Sequence, residues 1–253
     1  MDSNAVALGM MCKAPIEGAC KTRLCPPLTM AEAAEMSRRF IADVAMQIAE
    51  VVPAAGGHAV AIHTPSGAEA AFEGLLPDGF AMLAQRGHDL GERLLHAATD
   101  LLAGGCGGVC LINADSPTLP ASLLRRTVEE LRRPGERIVI GPAVDGGYYL
   151  IGLKHPYAAL FDGIAWSTSQ VLAQTLSRAA SLRVPVTLLP LWYDIDDLGS
   201  LQLLAHELFG SGMPLAVDGI RGSPAPRSRL YLQALLQAPD ACRLALAGGA
   251  GAG

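Results

Sequence analysis

The chain has 253 residues, 51% of them apolar, 17% charged and 5% aromatic, and its 19 Lys and Arg against 24 Asp and Glu leave a net charge of −5. So little charge excludes disorder over most of the chain, and no stretch nears the roughly 18 uninterrupted apolar residues that a membrane-spanning helix needs. The Lys and Arg residues form no long basic stripe, which excludes nucleic acid as a partner.

Length alone suggests roughly 1.7 domains, but the sequence has no internal linker or repeat. Residues 1–240 are therefore expected to form one domain, followed by a flexible Gly/Ala-rich tail over residues 241–253. Asp2 stands where a signal peptide carries positive charge, so the expected location is cytoplasmic. In that compartment the six cysteines are expected to be free thiols. Cys12, Cys20 and Cys25 lie close together, yet no CxxC spacing or His partner frames a zinc site.

Residues 5–11 are a short apolar run that suits a buried strand, ending in a loop at Lys13-Ala14-Pro15. Thr29 caps a helix predicted through about Val51, which Pro53 and Gly56-Gly57 then break. Strands follow over 58–63 and 80–84, a helix over 90–102, and a strand over 109–112 that is apolar on both faces. Such a strand belongs at the centre of a helix-covered sheet. A helix is expected over 119–131, strands over 137–140 and 148–153, a helix over 168–180, a strand over 184–189, and helices over 198–208 and 227–236. This alternation predicts a three-layer α/β/α sandwich with a mainly parallel, mixed central sheet.

Ligands in such sheets bind at the carboxyl ends of the strands. Four segments there carry chemistry. The loop over residues 13–24 holds Lys13, Lys21 and Arg23 against Glu17, a net +2, while the rest of the chain holds 16 cations and 23 carboxylates, a net −7. A basic loop on an acidic protein suits a nucleotide phosphate, with Arg23 gripping two oxygens and Lys21 a point charge. It is neither a Walker A loop, which needs Gly where Pro15 and Cys20 stand, nor a GxGxxG fingerprint. The competing reading is a solvated surface loop.

Asn113-Ala114-Asp115-Ser116-Pro117 ends the most buried strand. A carboxylate there is costly without a partner, so Asp115 is a candidate ligand for a divalent ion, unless Asp115 or Ser116 merely caps the next helix. Residues 141–150 contain Asp145-Gly146-Gly147-Tyr148, where two glycines let backbone approach a ligand, although Asp-Gly-Gly is also an ordinary hairpin turn. Trp192-Tyr193-Asp194-Ile195-Asp196-Asp197 crowds three carboxylates after the last strand. Asp197 can cap the following helix, leaving Asp194 and Asp196 on one side, where like charges repel unless a cation intervenes. Smaller cues are residues 85–93 and Trp166-Ser167-Thr168, which also read as a capped helix start and as a core Trp with a Thr cap.

Taken together, the blocks K-A-P-x-x-G-x-x-K-T-R-L, Q-x-G-x-D-L-G-E-R-L, A-D-S-P-x-L-P, G-P-A-x-D-G-G-Y-Y-L-I-G-L, W-S-T and D-I-D resemble a family of small bacterial proteins grouped with GT-A-type glycosyltransferases, one branch of which is associated with arsenosugar biosynthesis. The resemblance spans roughly residues 6–208, in order and spacing. It departs after Asp196, where the family's Thr-Pro-Glu is missing, and in having Cys12 and Cys20.

The resemblance implies a nucleotide-diphospho-sugar transferase fold in which Lys13, Lys21 and Arg23 face the nucleotide phosphates, while Asp115 and Asp196, with Asp194 beside them, hold Mg²⁺ or Mn²⁺. Asp145, Gly146, Gly147 and Trp166 then line the pocket for the transferred or accepting group. Asp145, Lys21 and Arg23 are the expected catalytic residues, and Gly18, Thr22, Gln85, Asp89, Gly91, Tyr148 and Thr168 complete the substrate-binding set. The expected activity is a metal-dependent glycosyltransferase using a nucleotide-diphosphate sugar and a small-molecule acceptor. The alternative is a nucleotidyltransferase coupling a nucleoside triphosphate to a phosphorylated or phosphonate compound, with release of pyrophosphate. A binding module that has lost catalysis is the third reading, against which stand the retained carboxylates and cations.

Overall fold

A computed structural model describes residues 4–210 and 220–244. Its elements run β1 (Val6–Lys13), α1 (Met30–Ala55), β2 (Gly56–Thr64), β3 (Phe80–Ala84), α2 (Leu90–Ala103), β4 (Gly108–Asn113) and α3 (Ala121–Arg132). They continue with β5 (Ile138–Pro142), β6 (Tyr148–Leu153), α4 (Ala158–Phe161), α5 (Val171–Ser181), β7 (Val186–Leu188), α6 (Leu198–Phe209) and α7 (Pro226–Gln237). Short 3₁₀ turns at Thr22–Leu24, Glu69–Phe72 and Ala241–Leu244 complete the described chain. The last of these turns occupies the start of the predicted tail, whose remainder, residues 245–253, lies outside the described residues.

The seven strands form one sheet in the order β3-β2-β1-β4-β6-β5-β7. Every neighbouring pair is parallel except those made by β6, which runs against both β4 and β5. This is the mixed, mainly parallel sheet read from the sequence. Alternation along β1 divides the core in two. Leu8, Met10 and Cys12 join the layer under α1, α3, α6 and α7, while Ala5 and Ala7 join the layer under α2, α4 and α5.

The start of α1 follows the expected chemistry. Thr29 accepts a hydrogen bond from Glu32 N, and the Glu32 carboxylate accepts one from Thr29 N, a reciprocal capping box. Its end differs from the prediction, because Pro53 lies inside the last turn and the helix runs on to Ala55. Proline costs most in a helix interior; here only two helical residues follow it, and Gly56 in the left-handed region (φ 63°) closes the helix. Gly57 is already strand, since a Cβ there would lie 2.1 Å from the Val6 carbonyl oxygen. Close approach of β2 to β1, rather than a loop, is what the glycine serves.

Asp43 is a buried carboxylate within α1, 2% exposed. It accepts hydrogen bonds from Arg227 N (3.2 Å), Ser228 N (2.8 Å) and Ser228 Oγ (2.6 Å), and so caps α7 from another element. Asp43→Ala is expected to lower stability by about 2–4 kcal/mol, since it removes a cap and strands buried donors. A shift of the urea midpoint at constant slope measures it, and a loss below about 0.5 kcal/mol would show that α7 does not depend on this cap.

Candidate active site

The loop between β1 and α1 folds back over the carboxyl ends of β1 and β4 and meets the segment after β7. Lys21 is the meeting point. It sits at the start of the 3₁₀ turn with left-handed backbone (φ 49°, ψ 32°). Its Nζ lies 2.8 Å from Asp115 Oδ1 and 3.0 Å from Asp196 Oδ1, and donates to the Ile195 carbonyl oxygen at 2.5 Å. The Lys21 side chain is 6% exposed, those of Asp115 and Asp196 38% and 37%. Burial pulls the ammonium down, but the two carboxylates outweigh it and its pKa is raised.

Asp115 is oriented by its own loop. Asn113 Oδ1 accepts from Asp115 N and from Ser116 Oγ, and Ile195 N donates to the Asp115 carbonyl oxygen at 2.9 Å, tying the β4 loop to the segment after β7. Neither Asp115 nor Ser116 caps the next helix, because α3 starts at Ala121 with Pro120 at its N-cap. The capping role considered for these two residues therefore falls. Asp197 does cap α6, in a reciprocal pair with Ser200, and so is committed to the helix. Asp194 is different. Its carboxyl is pushed up to about 7, by burial first and then by the negative charges of Asp196, Asp145 and Asp115, with Lys21 acting the other way. Four carboxylates thus share one electrostatic neighbourhood with one buried ammonium. Among the described residues no three His, Cys, Asp or Glu side chains converge as a ready-made metal cage.

A cavity of about 210 Å³ opens beside Lys21, lined in part by Lys13, Thr22, Arg23, Asp115 and Asp196. Lys13 and Arg23 are exposed, whereas Lys21 is held by its carboxylates. Ser37 and Ile41 of α1 also line this cavity. No sequence signal marks these two, because nothing in their spacing separates them from the buried face of the helix. Gly18, at φ 72°, shapes the loop, and a Cβ placed on it would meet nothing within 4 Å. Cys12 and Cys20 are buried, burial pushes both thiols up, and all six cysteines are unpaired.

The Asp145-Gly146-Gly147 segment is the hairpin turn between β5 and β6, with Asp145 Oδ1 accepting from Gly147 N at 2.8 Å. Tyr148 stands edge-on to Trp166 (centroids 6.4 Å apart), which in turn stacks on Phe161 (6.5 Å). Gly91 makes room for that indole, since a Cβ there would lie 2.8 Å from its ring. A second cavity, about 550 Å³, lies beside Trp166 and is walled by Phe161, Gly91, Asp89, Glu92 and Asp162, among others. Phe161 and Asp162 escape sequence reading, because four-residue α4 is too short to show a period.

Three further expected site residues have structural tasks. Asp89 caps α2 by accepting from Glu92 N, the capped helix start that its segment also suggested. Gln85 Nε2 donates to the Ile62 and Cys12 carbonyl oxygens and clasps the ends of β1 and β2. Thr168 does not cap α5, which begins at Val171; its hydroxyl donates to the Ala165 carbonyl oxygen and accepts from Gln170 N, closing the turn after Trp166.

Residues 47–168 match the model of a family described as "Uncharacterized protein conserved in bacteria (DUF2064)". No curated protein matches the chain in sequence. Among solved structures, one described as a "putative nucleotide-diphospho-sugar transferase" from Desulfovibrio desulfuricans G20 is 28% identical with a TM-score of 0.77, covering 93% of this chain and 96% of that one. A CMP:2-keto-3-deoxy-manno-octonic acid synthetase complexed with CTP aligns at 12% identity and a TM-score of 0.52, over 81% of this chain and 100% of its own. A cytidylyltransferase from Leptospira borgpetersenii serovar Hardjo-bovis (strain JB197) aligns at 10% identity and a TM-score of 0.51, over 98% and 99%. The last two likenesses are of fold alone. The chain thus resembles the DUF2064 family over residues 47–168 and has the mixed α/β fold of the nucleotide-diphospho-sugar transferases.

Proposed function

We propose that the chain is a divalent-metal-dependent glycosyltransferase that moves a sugar from a nucleotide diphosphate to a small acceptor without a phosphate group. The observation that carries this reading is the meeting of the basic first loop with Asp115 and Asp196 around one cavity at the carboxyl ends of β1 and β4. Two carboxylates bracketing a single cation are the hard oxygen donors that Mg²⁺ or Mn²⁺ takes, so the donor set fits such an ion, with Asp194 close by in charge if not in contact. When bound, the ion neutralises charge on the departing diphosphate. Arg23 would fork two phosphate oxygens, and Lys13 would add a second charge from the loop's start.

The second cavity is the acceptor side. The half-buried Trp166, backed by Phe161, offers an aromatic ring to a sugar, Asp89, Glu92 and Asp162 offer acceptors to hydroxyls or amines, and no Lys or Arg is among the described residues of the wall. The charged side chains of the wall itself, Asp89, Glu92 and Asp162, disfavour a phosphorylated partner of the kind that nucleotidyl transfer requires, although the Arg178 guanidinium lies against Gly163 of the same wall. Asp145, exposed on the hairpin turn, is the candidate base for an acceptor hydroxyl. The test is the released product. Incubation with Mg²⁺ and a panel of nucleotides is expected to release a nucleoside diphosphate from a nucleotide sugar. Pyrophosphate released from a triphosphate would assign the nucleotidyltransferase reading in its place, and neither product, with no metal-dependent nucleotide binding by calorimetry, would leave a binding module.

A further inference from the structure

The three protons of the Lys21 ammonium have three acceptors, Asp115 Oδ1, Asp196 Oδ1 and the Ile195 carbonyl oxygen, so this buried cation is fully satisfied without any phosphate. The fold also imposes the arrangement. Lys21 adopts left-handed backbone, which costs a non-glycine residue free energy and persists only where its surroundings require it. In the seat it fills, both Asp115 Oδ1 and Asp196 Oδ1 lie within 3.0 Å of one charge. A divalent ion held by the same two oxygens and an ammonium in the same seat would repel each other at contact distance. One must leave for the other to enter.

We infer that Lys21 is the resident cation of the Asp115 and Asp196 pair, yields its seat to the divalent ion, and transfers its charge to the nucleotide phosphates, so that metal and nucleotide each bind strongly only with the other. The inference rests on the metal–nucleotide reading above and adds to it. A metal ion arriving alone must strand an ammonium that has just lost three acceptors, which burial makes costly. A nucleotide arriving alone finds Lys21 already neutralised and the exposed oxygens of Asp115 and Asp196 facing its phosphates. Only the pair replaces every lost contact: the ion takes the carboxylates, and the phosphates take Lys21. Short of saturation, free divalent ion therefore leaves the empty enzyme in its Lys21-filled state, and the ion's charge is withheld until a substrate brings its own.

Two measurements test this. In nucleotide-free protein, Lys21→Met is expected to bind Mn²⁺ on the order of tenfold more tightly than wild type, because the competing cation is gone. Equal or weaker binding overturns the inference. Because Lys21→Met leaves two carboxylates facing each other and could impair folding, the second measurement uses the wild-type chain. Pulse acylation read by mass spectrometry is expected to label Lys21 slowly in metal-free protein, and on the order of tenfold faster at saturating Mn²⁺ as the ammonium leaves its seat. Adding nucleoside diphosphates to the Mn²⁺ protein should slow the labelling again. Labelling that Mn²⁺ does not change overturns the inference even if Mn²⁺ and a nucleoside diphosphate bind together, in which case the functional reading stands without it. Absence of any joint binding of Mn²⁺ and a nucleoside diphosphate, in wild type and variant alike, removes both.

Discussion

Asp115→Asn is expected to abolish metal-dependent nucleotide binding while the chain stays folded. The backbone of Asp115 is fixed independently of its carboxylate, through Asn113 Oδ1 on one side and Ile195 N on the other. The amide keeps the shape and one oxygen for Lys21 but loses the charge that a divalent ion requires. Even partners one step removed from a metal carry about 10–100-fold in its affinity, so removal of a direct ligand should cost at least on the order of a hundredfold. Lys21 retains Asp196 and the Ile195 carbonyl oxygen, and the stability loss should stay near 1–2 kcal/mol, roughly that of one charged hydrogen bond. Calorimetric titration of Mn²⁺ with a nucleoside diphosphate, alongside a thermal melt, separates the two effects. Unchanged affinity would take Asp115 out of the metal site.

Gly146→Ala should act in the opposite way, on the fold first. Gly146 has φ 89°, and a Cβ there would sit 2.2 Å from the Ser169 carbonyl oxygen, a backbone atom that cannot swing aside. Its own carbonyl oxygen accepts from Leu172 N at 2.9 Å, so the hairpin turn is docked on the start of α5. The substitution must separate the two, at an expected cost of about 3–5 kcal/mol from strain and overpacking together. For a chain of this length that lowers the melting temperature by about 10 °C. Gly18→Ala is the control. Its φ is also positive, at 72°, but nothing lies within 4 Å, so it should cost only about 1 kcal/mol. Equal losses at the two positions would show that backbone conformation alone, and not contact with Ser169, sets the requirement.

What could be read in the sequence was what is local in the chain. Strand runs, the Thr29 cap and the Asp197 cap depend on residues within a turn of one another, and each appears close to where spacing puts it. The nucleotide-diphospho-sugar transferase fold was legible for the same reason, in blocks that each keep their own spacing. The state of Lys21 was not. Its partners Ile195 and Asp196 lie 174 and 175 residues away, and nothing in the first loop says that one of its three cations is buried. Along the chain the loop carries +2; in space Lys21 is spent on carboxylates, and Lys13 and Arg23 are left exposed. The role of Asp115 was ambiguous because a carboxylate before a helix reads as a cap, and only the presence of Pro120 at the N-cap position frees it. Pro53 misled for a different reason. Proline signals a break by its own chemistry, but only two helical residues follow it.

The span between Lys21 and Asp196 also orders events in time. β1 pairs with β4 about a hundred residues further along, whereas the β5–β6 hairpin closes within one short turn. A nascent chain can therefore build its hairpin and its first strands long before the segment after β7 has been made. Until that segment arrives, Lys21 has neither Asp196 nor the Ile195 carbonyl oxygen, and Asp115 alone of its three acceptors has been made. Full seating of the ammonium therefore waits on residues 195 and 196, which follow the last strand of the sheet.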